Sequence, residues 1–120
     1  MTTILRKKSS PRMSQTVAVN NFVFLSGQVS DNLQGDIRQQ TTEVLTKIER
    51  LLSESHSDKS RLISINIWLS DMSHFDAMNE VYEAWLDNAH QPTRACVQSA
   101  LADPSYLIEA QAVALATPQA

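Results

Sequence analysis

Three residues near the end of the chain could do chemistry together: Arg94 and Cys96 in "TRACVQ", and Glu109 in "LIEAQAVAL". A guanidinium offers five N–H donors in a planar fork, which can hold a carboxylate through two parallel hydrogen bonds. The plainer reading of Arg94 is a structural ion pair, with Glu109 or with an acid of a neighbouring chain. Glu109 has the same ambiguity, because an isolated carboxylate in an apolar run serves either as an acid/base or as half of a buried pair. Cys96 reads as a small packed hydrophobe, since no histidine lies near it in sequence to favour the thiolate. Its backbone N–H, next to Arg94, is the better candidate for a role. Asn79, Tyr82 and Trp85 recur at helical spacing, the aromatics as core and Asn79 as a helix-surface hydrogen bond. His74 and His90 read as surface or cap residues, and Lys59 and Arg61 as a solvated strand entrance.

These residues must be positioned by strands and helices that the patterning predicts. Alternation along a strand puts Arg94, Cys96 and Gln98 on one face. In the last strand, Ile108, Ala110, Ala112 and Ala114 form a small apolar face, and Leu107, Glu109, Gln111 and Val113 share the other. Upstream, "TVAV" and "FVFLS" flank Asn20-Asn21, which tolerate the positive φ of a tight hairpin turn. Asp36 with Gln39 predicts a capping box, and Ile37, Val44, Leu45, Ile48, Leu51 and Leu52 lie on one helical stripe over 36–53. In "RLISINIWL", Ile63, Ile65, Ile67 and Leu69 alternate with Leu62, Ser64, Asn66 and Trp68, the pattern of a central strand with one dry face. Ser73 with Asp76 offers an N-cap for a second helix over 73–87. The opening "MTTILRKKSSPRMSQ" is basic and acid-free, and "TTIL" is read as a first strand in preference to an organellar leader. The chain has only two glycines, Gly27 and Gly35. Gly27 directly follows a strand, which marks either positive φ or a close backbone approach.

The totals narrow the class. At 120 residues with 42% hydrophobic side chains and a net charge of −3, residues 1–120 read as one globular domain with a sizeable core. No apolar stretch approaches the roughly 20 residues that span a bilayer. An acidic balance without a Lys/Arg stripe argues against a nucleic-acid surface. A lone cysteine makes no internal disulfide, and the three histidines lack metal-ligand spacing, so a reducing, cytoplasmic setting is expected.

The order of elements is strands, helix, strand, helix, two strands, an α+β layer with both helices on one sheet face. The other face would then present Trp68, Cys96, Leu107 and Val113, too apolar to leave in water. A closed, symmetric homo-oligomer with clefts between subunits is the expected cover.

Taken together, "SGQ" after the hairpin, "FDAMNEVYEAW" on a helix, "PTRACVQ" and "LIEAQAVA" closely resemble the RidA (YjgF-type) family of enamine/imine deaminases. The match runs from about Ser14 to Ala114, with the four motifs in order. The resemblance implies a chorismate mutase-like fold, with a six-stranded mixed sheet and two helices packed on one face, assembled as a homotrimer with pockets at the subunit clefts. It implies hydrolysis of 2-imino acids to 2-keto acids and ammonia, with small imino or keto acids as ligands and without cofactor or metal. Arg94 matches the family's carboxylate-binding arginine, Cys96 the residue whose backbone amide assists, and Glu109 the glutamate that positions water. Ser26 and Gly27 fall in its pocket-lining turn, and Asn79 with Tyr82 in its helix motif. The departures point to a divergent subgroup. The usual Gly-Pro-Tyr reads "PRM", with Met13 at the tyrosine's place; the loop between Gln28 and Asp36 is short; and "SESHSDKS" replaces the glycine after helix one. A trimer that keeps the pocket only to bind a small carboxylate is the alternative. An RNA-cleaving role, sometimes attached to the family, has no basic track to support it.

Overall fold

The computed structural model describes residues 2–118. Strands β1 (Leu5–Ser9), β2 (Ser14–Val19), β3 (Phe22–Leu25) and the two-residue β4 (Gln28–Val29) precede helix α1 (Ile37–Glu54). Then come β5 (Leu62–Leu69), α2 (Phe75–Trp85), β6 (Thr93–Gln98) and β7 (Ile108–Leu115). The sheet runs β1-β2-β3-β7-β5-β6, with β4 paired to β7 beside β3. Every pairing is antiparallel except β5 with β6. That one parallel pair follows from the connection, since parallel neighbours need a crossover and α2 supplies it.

Local chemistry accounts for the ends of the elements. Asn20 and Asn21 take φ of 50° and 67° between the paired Val19 and Phe22, the two positive values of a type I′ hairpin. The Asp36 side chain accepts from Gln39 N and the Gln39 side chain from Asp36 N, both at 2.8 Å, closing the capping box. At the other end of α1, His56 N donates to Ser53 O and Ser57 N to Leu52 O, a Schellman ending. His56 sits there at φ 61°, in the left-handed conformation that a glycine would take more cheaply.

Both helices lie on one face. Val44, Leu45, Ile48 and Leu52 of α1 and Met78 and Tyr82 of α2 pack on Val23, Leu25, Ile65, Ile67, Leu69, Ile108 and three alanines of β7. Ala110, Ala112 and Ala114 are fully buried there, and their small size lets α1 lie close across β7. Each large aliphatic side chain so buried contributes roughly 1.5–3 kcal/mol. Gln40, also buried, ties α1 to the loop before β7: it donates to Ser105 O (2.9 Å) and accepts from Leu107 N (2.9 Å).

Five expectations are corrected. The first strand is "LRKKS", starting three residues downstream of "TTIL", because Leu5, Arg6 and Lys7 find partners in Ala18, Val17 and Thr16. A register shift between Leu62 and Ser64 turns Ile63 outward and buries Leu62 instead. Helix α2 starts at Phe75 after a 3-10 turn over Met72–His74, and the capping side chain is Asp71, which accepts from Ser73 N, rather than Ser73. Lys59 and Arg61 are staples: Lys59 Nζ donates to Trp85 O at 2.6 Å, and Arg61 Nε and Nη2 donate to Leu115 O and Ala116 O at 2.7 and 2.9 Å.

The fifth correction concerns the second sheet face. Partnered residues on neighbouring strands point to the same side, so the pairs Ile65 with Arg94 and Ile67 with Cys96 put Arg94 and Cys96 on the helix-covered face. Cys96 packs there against the core. Leu107 lies outside β7 and also packs against the core. The uncovered face carries Trp68 and Val113 as expected. With them stand Phe22, Phe24 and Val97, exposed at 43%, 44% and 50%.

Candidate functional site

The crossover that makes β6 parallel to β5 also sets Arg94 against α2. Phe75, Asn79 and Tyr82 recur at i, i+4 and i+7, one stripe of the helix. Arg94 Nη1 donates to Asn79 Oδ1 at 2.6 Å, and the guanidinium carbon lies 5.0 Å from the Tyr82 ring centre and 5.8 Å from that of Phe75. Burial pushes the Tyr82 phenol up from 10.0. It does the same to the Cys96 thiol, against the smaller opposite pull of the Arg94 charge, so the thiolate is disfavoured. Arg94 borders a groove of about 370 Å³ lined also by Asn79, Tyr82, Glu83, Leu86 and Gln91.

Glu109 occupies a different place. It is partnered with Trp68 on one side and Val29 on the other, on the uncovered face, half-buried. Its carboxylate accepts no hydrogen bond among the described residues. Gly27 lies against it: a Cβ there would overlap Oε2 and fall 3.0 Å from Cδ and 3.3 Å from Cγ. No glycine has positive φ, so of the two reasons a glycine could stand at 27, close approach applies. The turn that delivers Gly27 is pinned on both sides. Ser26 Oγ donates to Ser14 O (2.5 Å) and Ser26 N to Gln15 O (3.0 Å), while Gln28 Nε2 donates to Gln15 Oε1 (2.8 Å) and Ser26 O (3.0 Å).

The structure therefore forms two groups. Arg94, Asn79 and Cys96 stand on one face with Tyr82; Glu109, Ser26 and Gly27 stand together around the other. Arg94 is three residues along and two strands across from Glu109. At about 3.3 Å per residue and 4.8 Å per strand, that separates their Cα atoms by roughly 14 Å. With side chains on opposite faces, the two cannot pair within one protomer. Met13, 50% exposed, precedes β2 at the turn where Ser10 N donates to Met13 O at 2.7 Å. Sequence reasoning did not single out Phe75, or the Gln15–Gln28 pair under the turn. The i, i+4, i+7 spacing of Phe75, Asn79 and Tyr82 was the available signal.

A family model described as Endoribonuclease L-PSP matches residues 4–116. The chain belongs to this family. Its relatives include the RutC family protein YoaB of Escherichia coli K12, 37% identical over 93% of this chain and 97% of that protein. Protein HMF1 of Saccharomyces cerevisiae is 36% identical over 84% and 81% of the two chains. The crystal structure of NMB1025, a YjgF-family protein from Neisseria meningitidis, superposes with a TM-score of 0.94 at 36% identity over 98% of both chains. The YjgF-type fold, with its mixed sheet and two helices, is thus shared in full. Among the described residues no helix of this family member is long and apolar enough to cross a membrane.

Proposed function

We propose that this YjgF-type protein hydrolyses 2-imino acids, which tautomerise from 2-aminoacrylate-type enamines, in clefts between the subunits of a homotrimer. Water adds to the electrophilic imine carbon, the C–N bond of the resulting carbinolamine breaks, and a 2-keto acid and ammonia leave. Arg94 holds the substrate carboxylate through two donors, with the Cys96 backbone amide assisting. Glu109 takes a proton from the attacking water and returns it to the leaving nitrogen. Ser26, Gly27 and Asn79 line the pocket, and Met13 stands where relatives with Gly-Pro-Tyr place a hydroxyl. An imine needs chiefly orientation and a directed water, so these side chains suffice without a cofactor. Release of ammonia from short-lived imines makes the role one of metabolite detoxification in the cytoplasm.

One observation carries the reading: a half-buried carboxylate without a hydrogen-bond partner among the described residues, on an uncovered apolar face, with a glycine making room for it. A structural ion pair within the protomer would have given Glu109 a cation there. Because Arg94 and Glu109 stand on opposite faces of one sheet, a pocket that uses both draws them from neighbouring protomers, and the exposed Phe22, Phe24 and Val97 are what those protomers cover.

The test supplies imino acids of different side chains from an amino-acid oxidase and follows ammonia release, with sedimentation of the same sample. Release accelerated by a trimeric species is expected; a stable monomer, or no acceleration with any imino acid, overturns the proposal. The glycine gives a second expectation. In Gly27→Ala the new methyl displaces only the end of a flexible side chain, so the melting temperature should hold while turnover falls roughly 10²-fold, as misplaced catalytic groups do. Unchanged ammonia release by Gly27→Ala would remove the close approach from the mechanism.

A further inference from the structure

The guanidinium of Arg94 is held from three sides by one helix, and that arrangement says more than carboxylate binding requires. Arginine side chains are long and lose several rotamers when they are fixed in one pose. Here Tyr82, buried at 5% exposure, lies 5.0 Å from the guanidinium carbon and Phe75 5.8 Å from it, both within the reach of a cation–π attraction. Asn79 Oδ1 takes one Nη1 proton at 2.6 Å. The rings resist displacement of the group, and a single acceptor at Nη1 sets its rotation. Among the described residues no acceptor meets the Nε–Nη2 edge, the edge whose two parallel N–H bonds fit a carboxylate.

We infer that Phe75 and Tyr82 are positioning residues, and that Asn79 acts on the substrate through Arg94 by aiming that edge. The inference rests on the proposed role of Arg94 as the carboxylate holder. The neutrality of Asn79 is part of it. An amide oxygen orients the guanidinium and leaves its charge uncompensated, whereas a carboxylate at the same place would pair with it and compete with the ligand. The Tyr82 hydroxyl has no hydrogen-bond partner among the described residues, so the ring is the part that serves.

The experiment titrates pyruvate into the parent, Arg94→Ala, Asn79→Asp, Tyr82→Leu and Tyr82→Phe, and records melting curves for each. Asn79→Asp should melt no lower than the parent, since it adds an ion pair, and yet bind pyruvate at least about 10-fold more weakly. Tyr82→Leu should weaken binding by roughly 5- to 10-fold, and Tyr82→Phe, which restores the ring, should recover most of that loss. A folded Asn79→Asp that binds pyruvate like the parent overturns the inference, as does a Tyr82→Phe no better than Tyr82→Leu. Arg94→Ala separates the two levels: if it binds pyruvate normally, the carboxylate role itself fails, and if it alone loses binding, only the cradle fails.

Discussion

Arg94→Ala is expected to remove most of kcat/KM and of keto-acid binding while leaving a folded, assembled protein. In the protomer the side chain is exposed. Its contacts there are one hydrogen bond and two rings, so truncation should cost about 1 kcal/mol of stability and roughly 4 °C of melting temperature. Losing a buried, charge-assisted hold on a carboxylate costs about 2–5 kcal/mol, which is roughly 30-fold and upward in binding. The gap between the two magnitudes gives the experiment its force. A structural arginine would show the reverse order, with a large loss of stability and little change in ligand affinity. Arg94→Lys keeps the charge and loses the fork, so it should fall between the parent and Arg94→Ala. Pyruvate titration alongside thermal melting decides, and a folded Arg94→Ala that binds pyruvate normally ends the carboxylate assignment.

The parts of this molecule that were legible in its sequence are those whose physics is local. Asn20-Asn21 specifies a two-residue hairpin because few other side chains accept positive φ twice, and Asp36 with Gln39 specifies a helix start because each side chain satisfies the other's backbone. The stripe of Val44, Leu45, Ile48 and Leu52 needs only a period. Apart from the α2 cap, where Asp71 takes the place read for Ser73, the errors involve a partner that the local pattern does not name. Alternation puts Arg94 and Cys96 on one face, but which face depends on the parallel register to Ile65 and Ile67, set by α2. Ile63 fails because a bulge shifts the period within the strand. Lys59 and Arg61 look like solvent-facing cations until the carbonyls of Trp85, Leu115 and Ala116 arrive from elsewhere in the chain. The candidate site divides in the same way. Gly27 was readable as needing either positive φ or a close approach because glycine is so scarce here, and its φ leaves the close approach. That Glu109 is what approaches it depends on the pairing of β4 with β7.

Glu109→Gln should keep ligand affinity and lose turnover, the opposite partition from Arg94→Ala. The amide has nearly the same shape as the carboxylate and can still orient water by hydrogen bonding, but it cannot take the proton that hydration of the imine releases. General-base loss of this kind lowers rates by roughly 10²–10⁴-fold. Stability should hold or rise, because the carboxylate has no partner among the described residues to lose and a neutral group sits more easily on a half-buried face beside Trp68. A second outcome is equally specific. If Glu109 instead pairs with a cation of a neighbouring protomer, Glu109→Gln strands that cation, and both the melting temperature and the sedimenting species should drop. The two readings thus differ in sign on stability as well as in turnover. Single-turnover ammonia release, pyruvate titration and sedimentation on the one variant separate them. A folded, assembled Glu109→Gln that deaminates at the parental rate would rule out the catalytic carboxylate and leave the close packing of Gly27 against it as a matter of fit alone.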